Sequence, residues 1–257
     1  MSIPNKEQLL SDIAQFLEDE QEIYGSFAFT ADEEEKILSR FESEANATAD
    51  HSISEKEPET PRSITLKEKL DACQDLDQLR LLCEEADELR TDLGGTNLVF
   101  GVGNPQADLM LIGEAPGEQE DKEGEPFVGA AGQLLNKILA AIDFKRDEVY
   151  IANILKHRPP GNRNPSPEER LRSLPYLLRQ IDLIQPKLIL CLGKVSGTTL
   201  LDREDTLKNL RGEFYPFRNT LLTVTYHPAA LLRNPQWKRP VWEDVQKVKK
   251  KVTEFSA

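Results

Sequence analysis

The sequence predicts a doubly wound α/β sandwich, a parallel sheet covered by helices on both faces. Three observations carry that expectation. Four short apolar runs read as buried strands: 107–113 (ADLMLIG), 148–153 (EVYIAN), 187–193 (KLILCLG) and 220–225 (TLLTVT). Helical patterns lie between or after them, at 132–142, 167–184, 194–201 and 240–252. The residues capable of chemistry gather just past the C-terminal ends of the runs, where sheets of this kind bind ligands.

Upstream of the first run the chain has a different character. Leu9, Leu10, Ile13, Phe16, Leu17 and Ile23 share one helical stripe, which predicts a short amphipathic helix within 5–24. From about 25 to 63 the sequence is acidic and holds too little apolar content to fold alone. A helical stretch follows, LKEKLDACQDLDQLRLLCEEADELR, and leads to Gly94-Gly95. The expected organisation is an acidic arm over 1–62, available to a protein partner, and a folded domain over 63–257.

The net charge of −13 argues at first against a polyanionic partner. Its distribution reverses that impression. The arm carries most of the excess, the rest is nearly balanced, and the C-terminal stretch from 208 is basic, a usable phosphate-binding face or a solvated helix. The three cysteines, Cys73, Cys83 and Cys191, have no paired spacing and read as reduced thiols of a cytoplasmic protein. No run approaches the roughly 18 apolar residues that cross a bilayer, and the start lacks a signal-peptide pattern. Without His-x-x-x-His, Cys-x-x-Cys or a Glu-rich helix, no zinc or di-metal site is expected.

The candidate site residues follow the strands in order. Gly113-Glu114-Ala115-Pro116-Gly117 forms a tight loop after the first run, either an ordinary strand exit or an anion cradle. Its glycine spacing matches neither common nucleotide-binding fingerprint. Phe127, between Pro126 and Gly129, is a core ring or a platform on which a base stacks. Asn153 ends the second run and can both donate and accept, as a cap or as a reader of a base edge. The loop 156–165 (KHRPPGNRNP) sets Lys156, Arg158 and Arg163 among prolines and glycine, where they can hold a phosphate backbone. His227 opens HPAALLRN after the last run, where a neutral imidazole can donate to a developing oxyanion.

Taken as an ordered set, GNPQADLMLIGEAPGEQEDKEGEPFVGAAGQLL, YIANILKHRPPGNRNPSPEE and TYHPAALLRN resemble the family 4 uracil-DNA glycosylases, from about Thr96 to Val248. The resemblance implies a three-layer α/β/α sandwich around a four-stranded parallel sheet, and excision of uracil from double- or single-stranded DNA by a monomer. Carried over by motif, Gly113, Glu114 and Ala115 lie in the first catalytic loop, Phe127 stacks on the flipped uracil, and Asn153 bonds its polar edge. Asn162 sits near the sugar and the attacking water, and His227 faces uracil O2. Arg158 and Arg163 contact DNA, and Leu231, Leu232 and Arg233 form a minor-groove wedge.

The sequence departs from the family in one respect. The family's four-cysteine 4Fe–4S cluster takes a cysteine pair upstream of the VFG segment, one before RPPG and one in the following helix. Here those places offer Cys83 without a partner three residues away, His157 and Ser173. Cluster binding normally takes four ligands, so loss of the cluster is the expectation. Two other readings compete: a phosphohydrolase using GEAPG as a phosphate loop, and a non-catalytic DNA-binding or polymerase-associated domain of the same fold.

Overall fold

The computed structural model describes residues 64–255. The helix expected within 5–24 and the acidic linker lie outside the described residues. Helix α1 (Leu66–Ala72) opens with a capping box between Thr65 and Glu68, and α2 (Leu76–Glu85) is capped by Asp75. The Asp75 side chain accepts from Gln78 N, so the stretch expected as one helical unit is broken after Ala72. A 3₁₀ turn, Asp87–Leu89, completes this part.

The remaining elements form one mixed sheet and its covering helices. Strands β1 (Val102–Gly103), β2 (Leu109–Gly113), β3 (Tyr150–Asn153), β4 (Leu188–Leu192), β5 (Phe214–Phe217) and β6 (Thr220–Thr225) lie in the order β1-β3-β2-β4-β6-β5. Helices α3 (Glu118–Glu123) and α4 (Ala130–Ala141) follow β2; α5 (Pro167–Ile184) follows β3; α6 (Lys194–Leu201) and α7 (Leu207–Leu210) follow β4. Helices α8 (Pro228–Arg233) and α9 (Lys238–Phe255) follow β6. The sheet therefore has six strands where four were expected. The four anticipated runs pair in parallel, and β1 and β5 add antiparallel edges. β5 contains Pro216, which lacks a ladder donor and is tolerated at an edge.

Alternation along the central strands builds both cores. Met110, Ile112, Ala152, Ile189, Cys191 and Val224 face Leu177 and Ile181 of α5 and Leu200 of α6. Leu109, Leu111, Ile151, Leu188 and Leu190 face the other way, onto Leu135 and Leu139 of α4 and Val241, Val245 and Val248 of α9. A third cluster joins Leu79, Cys83 and Leu89 to Phe100 and to Tyr176 of α5. No helix among the described residues is long and apolar enough to cross a membrane.

Lys156 corrects one expectation. It is 0% exposed and cannot grip a phosphate backbone. Its Nζ donates to Gln180 Oε1 at 2.6 Å and to the carbonyls of Phe100 and Asn153, each at 3.2 Å. Burial pushes its amine down to about 8. The buried charge is tolerated because three acceptors converge on it.

Replacing Lys156 by Met keeps the volume but strips Gln180 Oε1 and Asn153 O of this donor; Phe100 O keeps Gln180 Nε2 at 3.0 Å. At about 1–3 kcal/mol per orphaned buried acceptor, Lys156→Met should lower unfolding stability by about 2–4 kcal/mol in urea titration. An unchanged midpoint would mean that the buried amine contributes nothing net.

Candidate active site

The four parallel strands deliver their C-terminal ends to one edge. In the β2–β3 register Gly113 lies opposite Asn153, and the pairing continues as Ile154 N donates to Gly113 O and Leu155 N to Glu114 O, both at 3.1 Å. Gly193, just past the end of β4, donates its N–H to Thr225 O at 2.8 Å. His227 lies two residues past the end of β6. The loops enclose a cavity of about 370 Å³ whose walls include Glu114, Ala115, Phe127, Asn153, Asn162 and His227, with Arg163 and Arg233 also present. Gly113 lies behind the wall. A Cβ there would fall 2.3 Å from Asn153 Oδ1 and 2.6 Å from Phe127 Cζ, so the glycine is what admits both side chains.

Phe127 adopts φ 55°, the left-handed region, at a cost on the order of 1–2 kcal/mol for a non-glycine residue. Glu120 helps to hold the turn. Its Oε1 accepts from Val128 N (3.1 Å) and Gly129 N (3.2 Å), and its Oε2 accepts from Gly117 N (3.2 Å). One carboxylate thus ties the GEAPG loop to the PFVG loop. The sequence reading missed Glu120, because an acid in the run GEQEDKEGE looks like solvated surface; its place three residues after the cap residue Gly117 was the available signal. Arg146, which donates to Phe127 O, was missed as well.

His227 caps α8 with its own side chain: Nδ1 accepts from Ala229 N at 3.1 Å. That bond leaves the proton on Nε2. Burial, reinforced by the nearby Arg233 charge and opposed by Glu120, pushes the imidazole down to about 4. His227 is therefore a neutral Nε2–H donor, the form suited to a developing oxyanion. Its ring centre lies 5.3 Å from that of Phe127, tilted by 31°. Asn153 is 1% exposed, and its Oδ1 is buried and meets no donor. An orphaned buried acceptor costs about 1–3 kcal/mol, which a ligand N–H placed there would relieve. Burial raises the Glu114 carboxyl above its ordinary range against the opposing charge of Arg170.

The outer residues separate into two sets. Asn162 has φ 54°, and its Oδ1 accepts from Arg158 Nε at 2.7 Å. Arg163 lies beside Asn162 but forms a fork on Glu169 (2.7 and 2.8 Å) and reaches Asp92 (3.3 Å). Leu231 is 1% exposed and packs among the core residues around α4. It does not reach the surface with its neighbours: Leu232 is 49% exposed and Arg233 is exposed at the cleft. Arg158 and Leu232 stand outside the cavity wall.

The places where the resemblance puts cluster ligands hold other interactions. Cys83 is buried, its thiol pushed up to about 12 by desolvation, and the residue three positions on is Ala86. His157 Nδ1 lies 3.0 Å from Thr96 Oγ1, and Ser173 Oγ donates to Ile154 O at 2.7 Å. Among the described residues no group of three or more His, Cys, Asp or Glu is arranged to hold a metal. This residue set does not fit a four-iron cluster.

Comparison with known proteins agrees with the geometry. The family model for the "Uracil DNA glycosylase superfamily" matches residues 100–246. A type-4 uracil-DNA glycosylase of Archaeoglobus fulgidus is 41% identical over 174 residues, 65% of this chain and 86% of the relative. Those of Sulfurisphaera tokodaii and Saccharolobus solfataricus are each 44% identical, over 163 and 162 residues, 60% of this chain in both cases and 74% and 75% of the relatives. With these matches spanning the loops that build the cleft, the chain belongs to the uracil DNA glycosylase superfamily, alongside its type-4 members.

Proposed function

We propose that this protein is a uracil-DNA glycosylase: it hydrolyses the N-glycosidic bond of a uracil flipped out of DNA and leaves an abasic site. The observation that carries this reading is the pairing of an orphaned acceptor, Asn153 Oδ1, with a fixed neutral donor, His227 Nε2, around the Phe127 ring. Uracil presents an N3–H donor between two carbonyl oxygens. Asn153 Oδ1 accepts from N3–H and its amide group donates to O4, while His227 Nε2–H donates to O2. Cytosine, with an acceptor at N3 and an amino donor at position 4, meets like with like.

Bond cleavage leaves an oxocarbenium-like sugar and a uracil anion. The negative charge collects on the oxygens that Asn153 and His227 face, so both donors strengthen as the C–N bond breaks. Water then adds to the sugar, and its proton leaves for solvent or base. Arg158 holds Asn162 by one lone pair of Oδ1, leaving the second free for that water. Glu114 supplies negative charge near the sugar. Ala115 cannot activate water, so leaving-group stabilisation carries most of the rate. Leu232 and Arg233 prop the gap left by the flipped base. The chemistry runs without an iron–sulfur cluster.

Release of free uracil from a labelled U·G duplex tests the activity. In single turnover, Asn153→Asp should slow release by about 10²-fold or more, because a buried second acceptor replaces the donor to O4. Affinity for an abasic duplex should stay within about threefold, since phosphate contacts dominate it. Release at the wild-type rate would remove Asn153 from base reading.

The depressed His227 pKa also has a sign that can be checked. The ordinary imidazole titrates near 6.5, and the folded one near 4, so His227 stays neutral throughout pH 5–8. The cleavage rate should show no step near 6.5, whereas folding stability should decline as pH falls from 6.5 towards 4, because the unfolded imidazole takes up its proton first. A sigmoidal rate change centred near 6.5 that vanishes in His227→Gln would contradict a neutral, buried imidazole.

Purified protein should be colourless and carry only trace iron. Visible absorption near 400 nm with about four irons per chain would overturn the cluster-free reading.

A further inference from the structure

The Phe127 ring is presented by a backbone conformation that an aromatic residue rarely adopts. Glu120 restrains the amides that follow it. The carbonyls are restrained by a residue from a different part of the fold. Arg146, in the connection between α4 and β3, donates from Nη2 to Pro126 O at 2.5 Å and from Nη1 to Phe127 O at 3.2 Å. The same Nη1 reaches Asn136 Oδ1 at 3.3 Å. The guanidinium therefore bridges the two successive carbonyls that flank the strained φ/ψ pair. Beneath it, α4 approaches so closely that a Cβ on Gly132 would fall 1.7 Å from Phe127 O. The carbonyl can neither swing towards the helix nor leave the fork.

Arg146 does not line the cavity, and nothing in the mechanism above uses it. Its side chain is half-buried, and the nearby acids Glu125 and Glu120 help to keep it charged against desolvation. A fold that needed only a surface cation here would have no reason to aim a planar fork at the two carbonyls flanking the Phe127 φ/ψ pair. Lysine, a single compact donor, cannot bridge both.

We propose that Arg146 is a positioning residue for base stacking: by clamping the carbonyls of Pro126 and Phe127 it holds the Phe127 ring in the plane that receives the flipped uracil. This rests on Phe127 being the stacking platform. Arg146 acts on the ring and not on the phosphate backbone. Its loss reaches the base-dependent steps and leaves DNA affinity alone.

The test uses the full chain and four variants: Arg146→Ala, Arg146→Lys, Phe127→Ala and the double Arg146→Ala/Phe127→Ala. Three quantities are read: single-turnover uracil release, inhibition by free uracil in the presence of abasic duplex, and abasic-duplex affinity. Arg146→Ala should slow release by about 10- to 100-fold, the scale of a misplaced contact, and weaken free-uracil inhibition in parallel. Abasic affinity should stay within about threefold, since phosphate contacts set it. Millimolar ethylguanidinium should restore part of the rate to Arg146→Ala, and Arg146→Lys should remain impaired. The double variant should be no slower than Phe127→Ala, because a residue acting through the ring has nothing left to act on.

Wild-type release by Arg146→Ala, or additive losses in the double variant, would overturn the proposal. So would a fall in abasic affinity matching the fall in rate, which marks general loss of structure. If Phe127→Ala itself released uracil normally and kept its sensitivity to free uracil, the stacking platform would be wrong, a failure distinct from that of Arg146.

Discussion

The cleft depends on the absence of a side chain at Gly113. The parallel register sets this residue directly opposite Asn153, and the Phe127 ring closes on the same point from the loop above. Asn153 Oδ1 and the edge of the ring both occupy the space that a methyl group would take. The floor of the cleft is therefore assembled by close approach of backbone, not by large residues reaching across a gap. His227 completes the arrangement from the far strand, its ring tilted against that of Phe127. A strand end without a Cβ, a strained aromatic and a self-capping histidine form one packing unit.

Electrostatics in this unit are tuned towards neutrality, although the substrate is a polyanion. His227 is kept uncharged by burial and by the charge of Arg233, which is itself exposed at the cleft mouth. One exposed cation at the cleft thus disfavours protonation of the imidazole. In the function proposed above, a neutral donor suits a uracil anion of modest proton affinity, because it can stabilise the leaving group without handing over a proton that it would then need to recover. The overall charge of −13 need not oppose this, because charges more than about a Debye length away are largely screened, and Arg233 lies at the cleft itself.

Much of this was legible in the sequence, and the gaps have physical causes. The central strands were readable because burial on both faces makes a run apolar throughout. β5 was not, because Pro216 argues against a strand unless the strand is known to be at an edge, and β1 is too short to carry a pattern. The order of the motifs gave the residues of the cleft. It did not show that Leu231 and Leu232, adjacent on a short helix, point one into the core and one outward. Lys156 was misread for a related reason. Hydrophilicity signals exposure unless partners converge, and its three acceptors come from separate segments at Phe100, Asn153 and Gln180. The left-handed turn at Phe127 left no mark, since nothing in the residue type favours it.

The segment bearing Asn162 is held by hydrogen bonds that come from several parts of the fold. Thr91 Oγ1 donates to Arg158 O at 2.6 Å, Thr96 meets His157, and Ser173 holds Ile154 O just upstream. Arg163 grips Glu169, which also closes the capping box of α5 with Ser166. Each such bond contributes on the order of 1 kcal/mol net, and charged ones somewhat more, so no single one replaces a set of iron–thiolate bonds. Their effect comes from distribution. They tie the loop to the segment before β1, to the end of β3 and to the first turn of α5, leaving it no common hinge. Restraint by several contacts in different directions limits the paths by which Asn162 can move, while Cys83 packs as an ordinary apolar core residue.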